Sequence, residues 1–575
     1  MKLPIDDLLP RIVAAFETSR NVVIEAAPGA GKTTRVPPAL LGRGEVIVLE
    51  PRRLAARMAA RRVAQEMGEK IGETVGYQVR FEDVSGPRTR LRFLTEGVLT
   101  RRLLSDPELR GVSTVVLDEF HERHLESDLA LALLRRLQRT SRPDLRIAVM
   151  SATLDAAPIA RYLDDCPVFT QTVAVHPLEI SYTPHSSALL EEQVTSAVEK
   201  LLGGGDILVF LPGAAEIRKV ARALESLTRR ANLLVLPLHG DLPPAEQDRA
   251  VSPADRPKVI LSTNVAESSV TIDGVRAVID SGLARIAADS PWTGLPSVEV
   301  KRISRASAKQ RAGRAGRLGP GRAIRLYTEQ EFHRLPNADL PEILRRELSQ
   351  MVLFLRALGN PSLDWLDAPP QAAWDTAASL LDKLEVTPEM ASLPLPPRLA
   401  KLALEAKRRG VPEKGCAVAA VLSAGERGSD LIALIEGNWQ PQTQRVFDQL
   451  RRQVTGRDRV GVSDEPLLHS LLAAFPDRVA RHRRDGELLL SSGGSAKFPG
   501  CRWDFLIAVD IEQRREHGVP LVRLAAPIQP DWLLDRAIER VRFEWNRSAE
   551  RVEQVSALLY DQLVIDETRA PAKPG

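Results

Sequence analysis

Short apolar runs, most of them rich in β-branched side chains, recur through roughly the first 340 residues, a span longer than one ordinary domain. They are Val22-Val23-Ile24, Val46-Ile47-Val48-Leu49, Val115-Val116-Leu117, Ile147-Ala148-Val149-Met150, Ile207-Leu208-Val209-Phe210, Val259-Ile260-Leu261 and Ala277-Val278-Ile279. Longer helical patterns separate them. A strand buried on both faces reads as a continuous apolar run, and such strands alternating with helices build parallel α/β sheets. The pattern is too long for one sheet, so two α/β domains are expected. The break falls near Cys166-Pro167, giving domains over 1–166 and 167–335.

Beyond about residue 340 the pattern changes. Residues 343–358 and 372–384 read as leucine-rich helices, Leu393-Pro394-Leu395-Pro396-Pro397 as a stiff turn, and more helix follows to about Phe475. From 487 on, Leu488-Leu489-Leu490, Phe505 to Val509 and Leu521 to Leu524 read as strands of a small barrel or sandwich, and Ala570 to Gly575 as a disordered tail. No internal repeat is visible.

The 575 residues are 44% hydrophobic. No run of about 18 apolar residues occurs, which argues against a membrane span, and the N-terminus has no apolar signal segment. Three scattered cysteines, Cys166, Cys416 and Cys501, fit a reducing cytoplasm and no disulfide framework or structural zinc. The net charge of +4, from 79 Lys and Arg against 75 Asp and Glu, neither demands nor excludes nucleic acid.

Three constellations carry chemistry. Glu25 to Thr34 (EAAPGAGKTT) sits between a strand and a helix pattern. It reads either as a glycine-rich turn that happens to carry a lysine or as a phosphate-binding loop, with backbone N–H groups on a polyphosphate, Lys32 on the β- and γ-phosphates and the Thr33 hydroxyl on Mg²⁺. Asp118-Glu119-Phe120-His121 follows the strand Val115–Leu117. It is either a charged turn or a metal-holding Asp118 with Glu119 as general base. Gln310 to Arg317 (QRAGRAGR) puts Arg311, Arg314 and Arg317 at i, i+3, i+6. On a helix they share roughly one face, which is either solvated or delivers arginine fingers. Arg478, Arg481, Arg483 and Arg484 form a basic cluster, read equally as a phosphate contact or a solvated helix end. Trp503, Trp532 and Trp545 favour core packing over base stacking.

In this order the segments resemble the DEAH-box helicases of superfamily two, and among them the bacterial HrpB-type branch. Glu50-Pro51-Arg52-Arg53 resembles motif Ia and Thr95 to Leu99 motif Ib. Ser151-Ala152-Thr153 resembles motif III, Phe210-Leu211-Pro212-Gly213 motif IV, Leu238-His239-Gly240 the adjoining loop, and Ser262 to Gly274 motif V. The likeness is dense over residues 8 to 335 and weaker to the end.

The resemblance implies two tandem RecA-like parallel-sheet domains closing on ATP or another NTP with Mg²⁺. These are followed by a winged helix (336–395), a helical ratchet-like bundle (396–486) and a β-rich, oligonucleotide-barrel-like end (487–575). It implies Glu119, Lys32, Gln310, Arg314 and Arg317 as catalytic residues. Pro28, Gly29, Ala30, Gly31, Lys32, Thr33, Thr34, Arg62, Ser269, Thr271 and Asp273 would bind nucleotide. Thr33 and Asp118 would hold the metal, and Ser151 and Thr153 would couple the two tracks. Arg52, Arg53, Thr95, Gly97, Gly240, Thr263 and Asn264 would contact the backbone of a single strand. Such contacts position a strand without reading its sequence.

The implied protein is a cytoplasmic monomeric NTP hydrolase moving 3′→5′ on single-stranded RNA. DNA stays open, because no residue clearly reads a 2′-OH, and no activating protein partner can be named. A nucleotide-gated clamp that hydrolyses without unwinding satisfies the same motifs. Four departures stand out: Ala26 for the first loop glycine, Phe120 for the usual alanine, Ala250-Val251 where an aromatic would face Arg62 across the base, and an expected absence of the family's further C-terminal domain.

Overall fold

The computed structural model describes residues 2–27, 29–42, 44–79, 82–152, 156–171, 176–240, 242–267, 272–289, 296–317, 319–459, 463–512 and 518–572. They form two compact units. The first comprises Met1–Asp289, Val298–Arg346 and Pro361–Pro370; the second comprises 290–297, 347–360 and 371–575. Among the described residues no helix is long and apolar enough to cross a membrane.

The first unit holds two parallel sheets, as the apolar runs require. Eight strands make the first: β1 (Asn21–Ala26), β2 (Glu45–Glu50), β3 (Val75–Val79), β4 (Glu82–Val84), β5 (Leu91–Thr95), β6 (Val112–Leu117), β7 (Arg146–Ser151) and β8 (Val168–Gln171). Their spatial order is β4-β3-β5-β2-β6-β7-β1-β8, and all neighbours are parallel except β3 and β4. Val22, Val23 and Ile24 of β1 are fully buried, because helices cover both faces. The first sheet continues past the expected break at Cys166-Pro167: β8 still pairs with β1, and its Phe169 joins the same core.

The second sheet contains β9 (Leu178–Tyr182), β10 (Asp206–Phe210), β11 (Leu234–Leu238), β12 (Lys258–Ser262), β13 (Val275–Asp280) and β16 (Gly321–Arg325) in the order β11-β12-β10-β13-β16-β9, parallel throughout. Between β13 and β16 runs the two-stranded pair β14 (Leu283–Asp289) and β15 (Pro296–Arg302). The sheets are tied by the helix Arg53–Met67. Its Leu54 enters the core built on Phe210, Leu238 and Ala250, with Met58 against it. From the same helix Arg57 reaches Gln247 at 3.3 Å and Arg61 reaches Asp248 at 3.1 Å.

The second unit begins with helices. Pro397–Arg408 and Pro412–Ala424 pack so closely that a Cβ added to Gly415 would sit 2.4 Å from the Ala406 Cβ. A closed five-stranded barrel follows, with β17 (Val479–His482), β18 (Glu487–Leu490), β19 (Ser495–Lys497), β20 (Phe505–Glu512) and β21 (Leu521–Pro527). It opens at Val479, ahead of the boundary expected at 487, because Ala480 faces the barrel core beside Leu488 and Leu506. A separate antiparallel sheet of β22 (Ile538–Asn546), β23 (Arg551–Tyr560) and β24 (Leu563–Pro571) closes the chain. The expected tail therefore starts inside a strand: Ala570 and Pro571 pair with Gln554 and Glu553.

The basic cluster splits. Arg478 is buried beside Asp477, whereas Arg481 is exposed on β17 and donates to the Val564 carbonyl. The tryptophans also differ. Trp503 packs on the barrel core and Trp532 lies 4.2 Å from the His469 ring, while Trp545 is 60% exposed.

Replacing Gly415 with valine should force the two helices apart and destabilise the second unit by about 1–3 kcal/mol, the usual cost of overpacking. Urea unfolding of the full chain followed by tryptophan fluorescence would register an earlier transition. An unchanged profile would show that the helices can separate without loss.

Candidate nucleotide and nucleic-acid site

The phosphate-loop residues lie between β1 and the helix Lys32–Ala39. Gly29 and Gly31 have φ of +86° and +93°, a region side chains avoid, and a Cβ on Gly31 would meet the Leu3 side chain at 2.6 Å. Ala30 is fully buried, and its carbonyl accepts from the Ile5 N–H at 3.0 Å. The Thr34 hydroxyl turns back to the Gly31 carbonyl at 3.4 Å. Pro28 lies outside the described residues.

Lys32 is 5% exposed, with its Nζ 3.2 Å from Glu119 Oε2. The Thr33 hydroxyl donates to Asp118 Oδ2, and Asp118 Oδ1 accepts from the Glu119 N–H at 2.8 Å. Glu119 itself has a positive φ of 49°, which turns the chain sharply off β6. Phe120 is buried, with the Arg123 guanidinium 5.6 Å from its ring centroid.

Burial opposes the Lys32 charge, but Glu119 and Asp118 outweigh it and raise the pKa. Burial likewise opposes the Glu119 charge, and Lys32 overcomes it, so Glu119 stays ionised. Asp118 is pushed up to about 6, first by burial and, despite Lys32, by the neighbouring Glu119. Glu50 ends β2 at the same edge. It is fully buried, neither of its oxygens has a hydrogen-bond partner, and burial followed by Asp118 and Glu119 holds its pKa well above the ordinary carboxyl range. One lysine and three carboxyls are thus gathered out of water at one edge of the sheet, a clustering more common at functional sites than in a surface turn.

The arginine row is not a single helical face. The helix ends at Gly313, so Arg314 caps it and Arg317 lies beyond. Two glycines in four residues favour leaving the helix over extending it. Arg311 is structural: 1% exposed, it bonds Glu267 at 2.8 Å and Asp280 at 2.9 Å and lies over the Phe210 ring. Arg314 is buried, donates through Nε to the Glu267 carbonyl at 2.9 Å, and has its pKa driven well below normal by burial and then by Arg317. Burial lowers Arg317 to about 10, with Glu119 opposing that shift. Both arginines, carried on the second sheet, therefore share an electrostatic environment with Glu119 of the first. Gln310 is half-buried one turn earlier on the helix. Asp273 is exposed in the turn before β13, and Ser269 and Thr271 lie outside the described residues.

Ser151 ends β7 and is 1% exposed. The next N–H, of Ala152, faces His121 Nδ1 at 3.4 Å, which links this segment to the Asp118–His121 turn; Thr153 lies outside the described residues. Arg62 is mostly exposed and bonded to Glu66 at 2.6 Å, while Ala250 and Val251 are buried in the second core and offer no opposing ring.

The residues expected on a nucleic-acid track sit at or just beyond strand C-termini, where open parallel sheets bind ligands. Thr95 ends β5 beside Glu50, and Gly97 follows it with open space at its Cβ position. Gly240 is exposed after β11; Thr263 and Asn264 follow β12. Arg53 is exposed at the start of its helix, and the preceding Arg52 donates to the Asn264 carbonyl at 2.8 Å and to Glu122 Oε2 at 2.7 Å. Sequence reasoning gave no part to Glu50, Glu122 or Glu267, which the fold places against the candidate site residues Asp118, Arg52 and Arg314. Glu50 and Glu267 lie inside segments already singled out, and Glu122 follows the Asp118–His121 turn directly, but nothing in their spacing shows which groups they face.

Two parallel sheets bearing a phosphate loop, an Asp-Glu turn and arginines brought to it define a helicase of the P-loop class. Residues 10–161 match the DEAD/DEAH box helicase family and residues 191–319 the helicase conserved C-terminal domain. The chain is 37% identical to the ATP-dependent RNA helicase HrpB of Escherichia coli (strain K12), over 100% of this chain and 74% of that protein. It also matches the crystal structure of the Escherichia coli DEAH/RHA helicase HrpB with a TM-score of 0.89 at 36% identity, covering 100% of this chain and 76% of that one. A second structure, of the E. coli DExH-box NTPase HrpB, matches with a TM-score of 0.86 at 36% identity, covering 100% and 75%. The chain belongs to the HrpB family of DEAH-box helicases.

Next to the site, His124 Nε2 lies 2.8 Å from Glu122 Oε2 and Nδ1 lies 3.5 Å from Glu342 Oε2. Burial disfavours the imidazolium, but these carboxylates outweigh it and raise His124 well above its usual 6.5. A raised histidine pKa stabilises the fold fully below the unfolded value of about 6.5, and the benefit fades as pH climbs toward the folded value. The difference in thermal midpoint between wild type and His124→Gln should thus be greatest near pH 6 and shrink above it. A gap independent of pH would mean that the ring acts by packing alone.

Proposed function

We propose that this chain is an ATP-dependent RNA helicase that couples NTP hydrolysis to 3′→5′ movement along a single strand and to duplex unwinding. The carrying observation is the joining of the glycine-rich loop to the strand-end carboxylates, Lys32 to Glu119 at 3.2 Å and Thr33 to Asp118, within the electrostatic reach of Arg314 and Arg317 from the second sheet. RNA as the strand is supported by the name of the E. coli relative, an ATP-dependent RNA helicase; the polarity rests on family resemblance. We further assign 336–395 to a winged helix, 396–486 to a ratchet-like bundle and the barrel-bearing end to an oligonucleotide-binding fold. We read the protein as a cytoplasmic monomer.

The residues divide the work. Nucleotide phosphates compete with Glu119 for the Lys32 ammonium, and backbone N–H groups from Gly29 to Thr34 take the remaining phosphate oxygens. Glu119, kept ionised by its surroundings, accepts the proton of the attacking water. Arg314 and Arg317, with Gln310, face the charge that builds on the transferring phosphoryl group. Thr33 and Asp118 offer adjacent oxygen donors, which suits a Mg²⁺ that keeps waters and phosphate oxygens in its remaining positions. When bound, the ion neutralises phosphate charge. Ser151 and the Ala152–His121 contact relate the Asp118–His121 turn to the strand-binding edge, where Arg52, Arg53, Thr95, Gly97, Gly240, Thr263 and Asn264 meet backbone. Affinity for the strand should then fall steeply with salt and vary little with sequence.

Steady-state ATP hydrolysis, with and without single-stranded RNA or matched DNA, tests the reading. RNA is expected to stimulate, and Glu119→Gln to abolish turnover. Arg317→Ala should lower kcat by about 10³-fold, within the span known for arginine fingers. Indifference to both nucleic acids would overturn the coupled motor. Strand displacement from duplexes with a 3′ or a 5′ overhang tests polarity, and hydrolysis without displacement on either would favour a nucleotide-gated clamp.

A further inference from the structure

Glu122 has no part in the chemistry assigned above, yet it sits where the two tracks meet. Its N–H donates to the Glu119 carbonyl at 3.0 Å, so it closes the turn that carries the general base. Its Oε2 accepts from Arg52 Nη2 at 2.7 Å and lies 2.8 Å from His124 Nε2. The same Arg52 donates through Nη1 to the Asn264 carbonyl at 2.8 Å. Arg52 leads into a helix of the first sheet and Asn264 follows a strand of the second. One guanidinium therefore spans the carboxylate of the hydrolytic turn and the backbone of the other sheet.

A carboxylate oxygen and a phosphate oxygen offer a guanidinium the same charge and acceptor geometry. We propose that Glu122 is an internal stand-in for a nucleic-acid phosphate. A strand entering the groove takes Arg52 from Glu122, and the released Glu122 lets the turn at Glu119 readjust, so strand binding is reported to the hydrolytic site. The proposal rests on Arg52 being a backbone contact, as read above. The exchange is balanced enough to run both ways. The Arg52 and Glu122 side chains are 20% and 11% exposed, so the pair is partly buried but open on one side, and an incoming phosphate there exchanges one anionic acceptor of the guanidinium for another. His124 then keeps the released carboxylate neutralised, which spares the cost of leaving it alone.

The test uses the full chain as wild type, Glu122→Gln, Arg52→Ala and the double variant. Affinity for a labelled single-stranded oligouridylate and ATP hydrolysis with and without it are measured at fixed salt. Glu122→Gln should tighten RNA binding by about fivefold, which corresponds to about 1 kcal/mol of competition removed. It should also raise hydrolysis without RNA and so shrink the stimulation ratio. In the Arg52→Ala background the same substitution should leave affinity unchanged. Glu122→Asp, which keeps the charge but shortens the reach, should act in the same direction more weakly and guards against a folding defect in the amide. Equal tightening in both backgrounds would mean that Glu122 acts only through space, and no tightening in either would mean that it does not compete for Arg52. Either result overturns the stand-in. Wild-type RNA affinity in Arg52→Ala would instead overturn the reading of Arg52 as a phosphate contact, and the stand-in with it.

Discussion

One cation among three carboxyls, all out of water, is the condition on which the site depends. Lys32, Glu50, Asp118 and Glu119 are each at most 6% exposed at the carboxyl edge of the first sheet. Unpaired buried charges cost several kcal/mol each, so Lys32 can compensate only part of the cluster. The rest of the compensation is visible in the raised pKa values of Glu50 and Asp118. The cluster thus holds fewer cations than acids. Arg314 and Arg317 of the second sheet lie within its electrostatic reach.

Those arginines are themselves expensive to bury, and the fold handles them in two ways. Arg311 is fully paired with Glu267 and Asp280, which makes it a fixed post of the second sheet. Arg314 and Arg317 have depressed pKa values because burial outweighs their compensation. The paired arginine holds Glu267, and the Glu267 carbonyl in turn accepts from Arg314 Nε, so the fixed arginine positions its neighbour.

The two sheets and their order along the chain were legible from the sequence because a doubly covered strand must be apolar along its whole length. That Lys32 and Thr33 would meet Asp118 and Glu119 was legible because a glycine-rich loop and a strand-end carboxylate pair are short local motifs. The arginine row was misread as one helical face. Spacing alone cannot show that Gly313 ends the helix, because a glycine within a helix and one after it look alike until tertiary packing chooses. The barrel's start at Val479 was missed for a related reason. Val479 and Ala480 carry too little apolar length to announce a strand, and only their pairing with β18 and β20 makes them one.

What the sequence withheld most completely is partnership at long range. Arg52 and Glu122 are 70 residues apart, Arg52 and Asn264 212 apart, and Arg57 and Asp248 191 apart. Each arginine, read alone, is a plausible phosphate ligand, and only the fold shows that a carboxylate of the same chain already occupies that role. This bears on any protein whose ligand is a polyanion. The fold needs internal acids to hold the basic groove together between encounters, and those acids must be weak enough partners to yield. Arg52–Glu122, at 20% and 11% exposure, is open on one side to an incoming anion. Arg311–Asp280, at 1% and 2% exposure, is not, and it stays a structural pair.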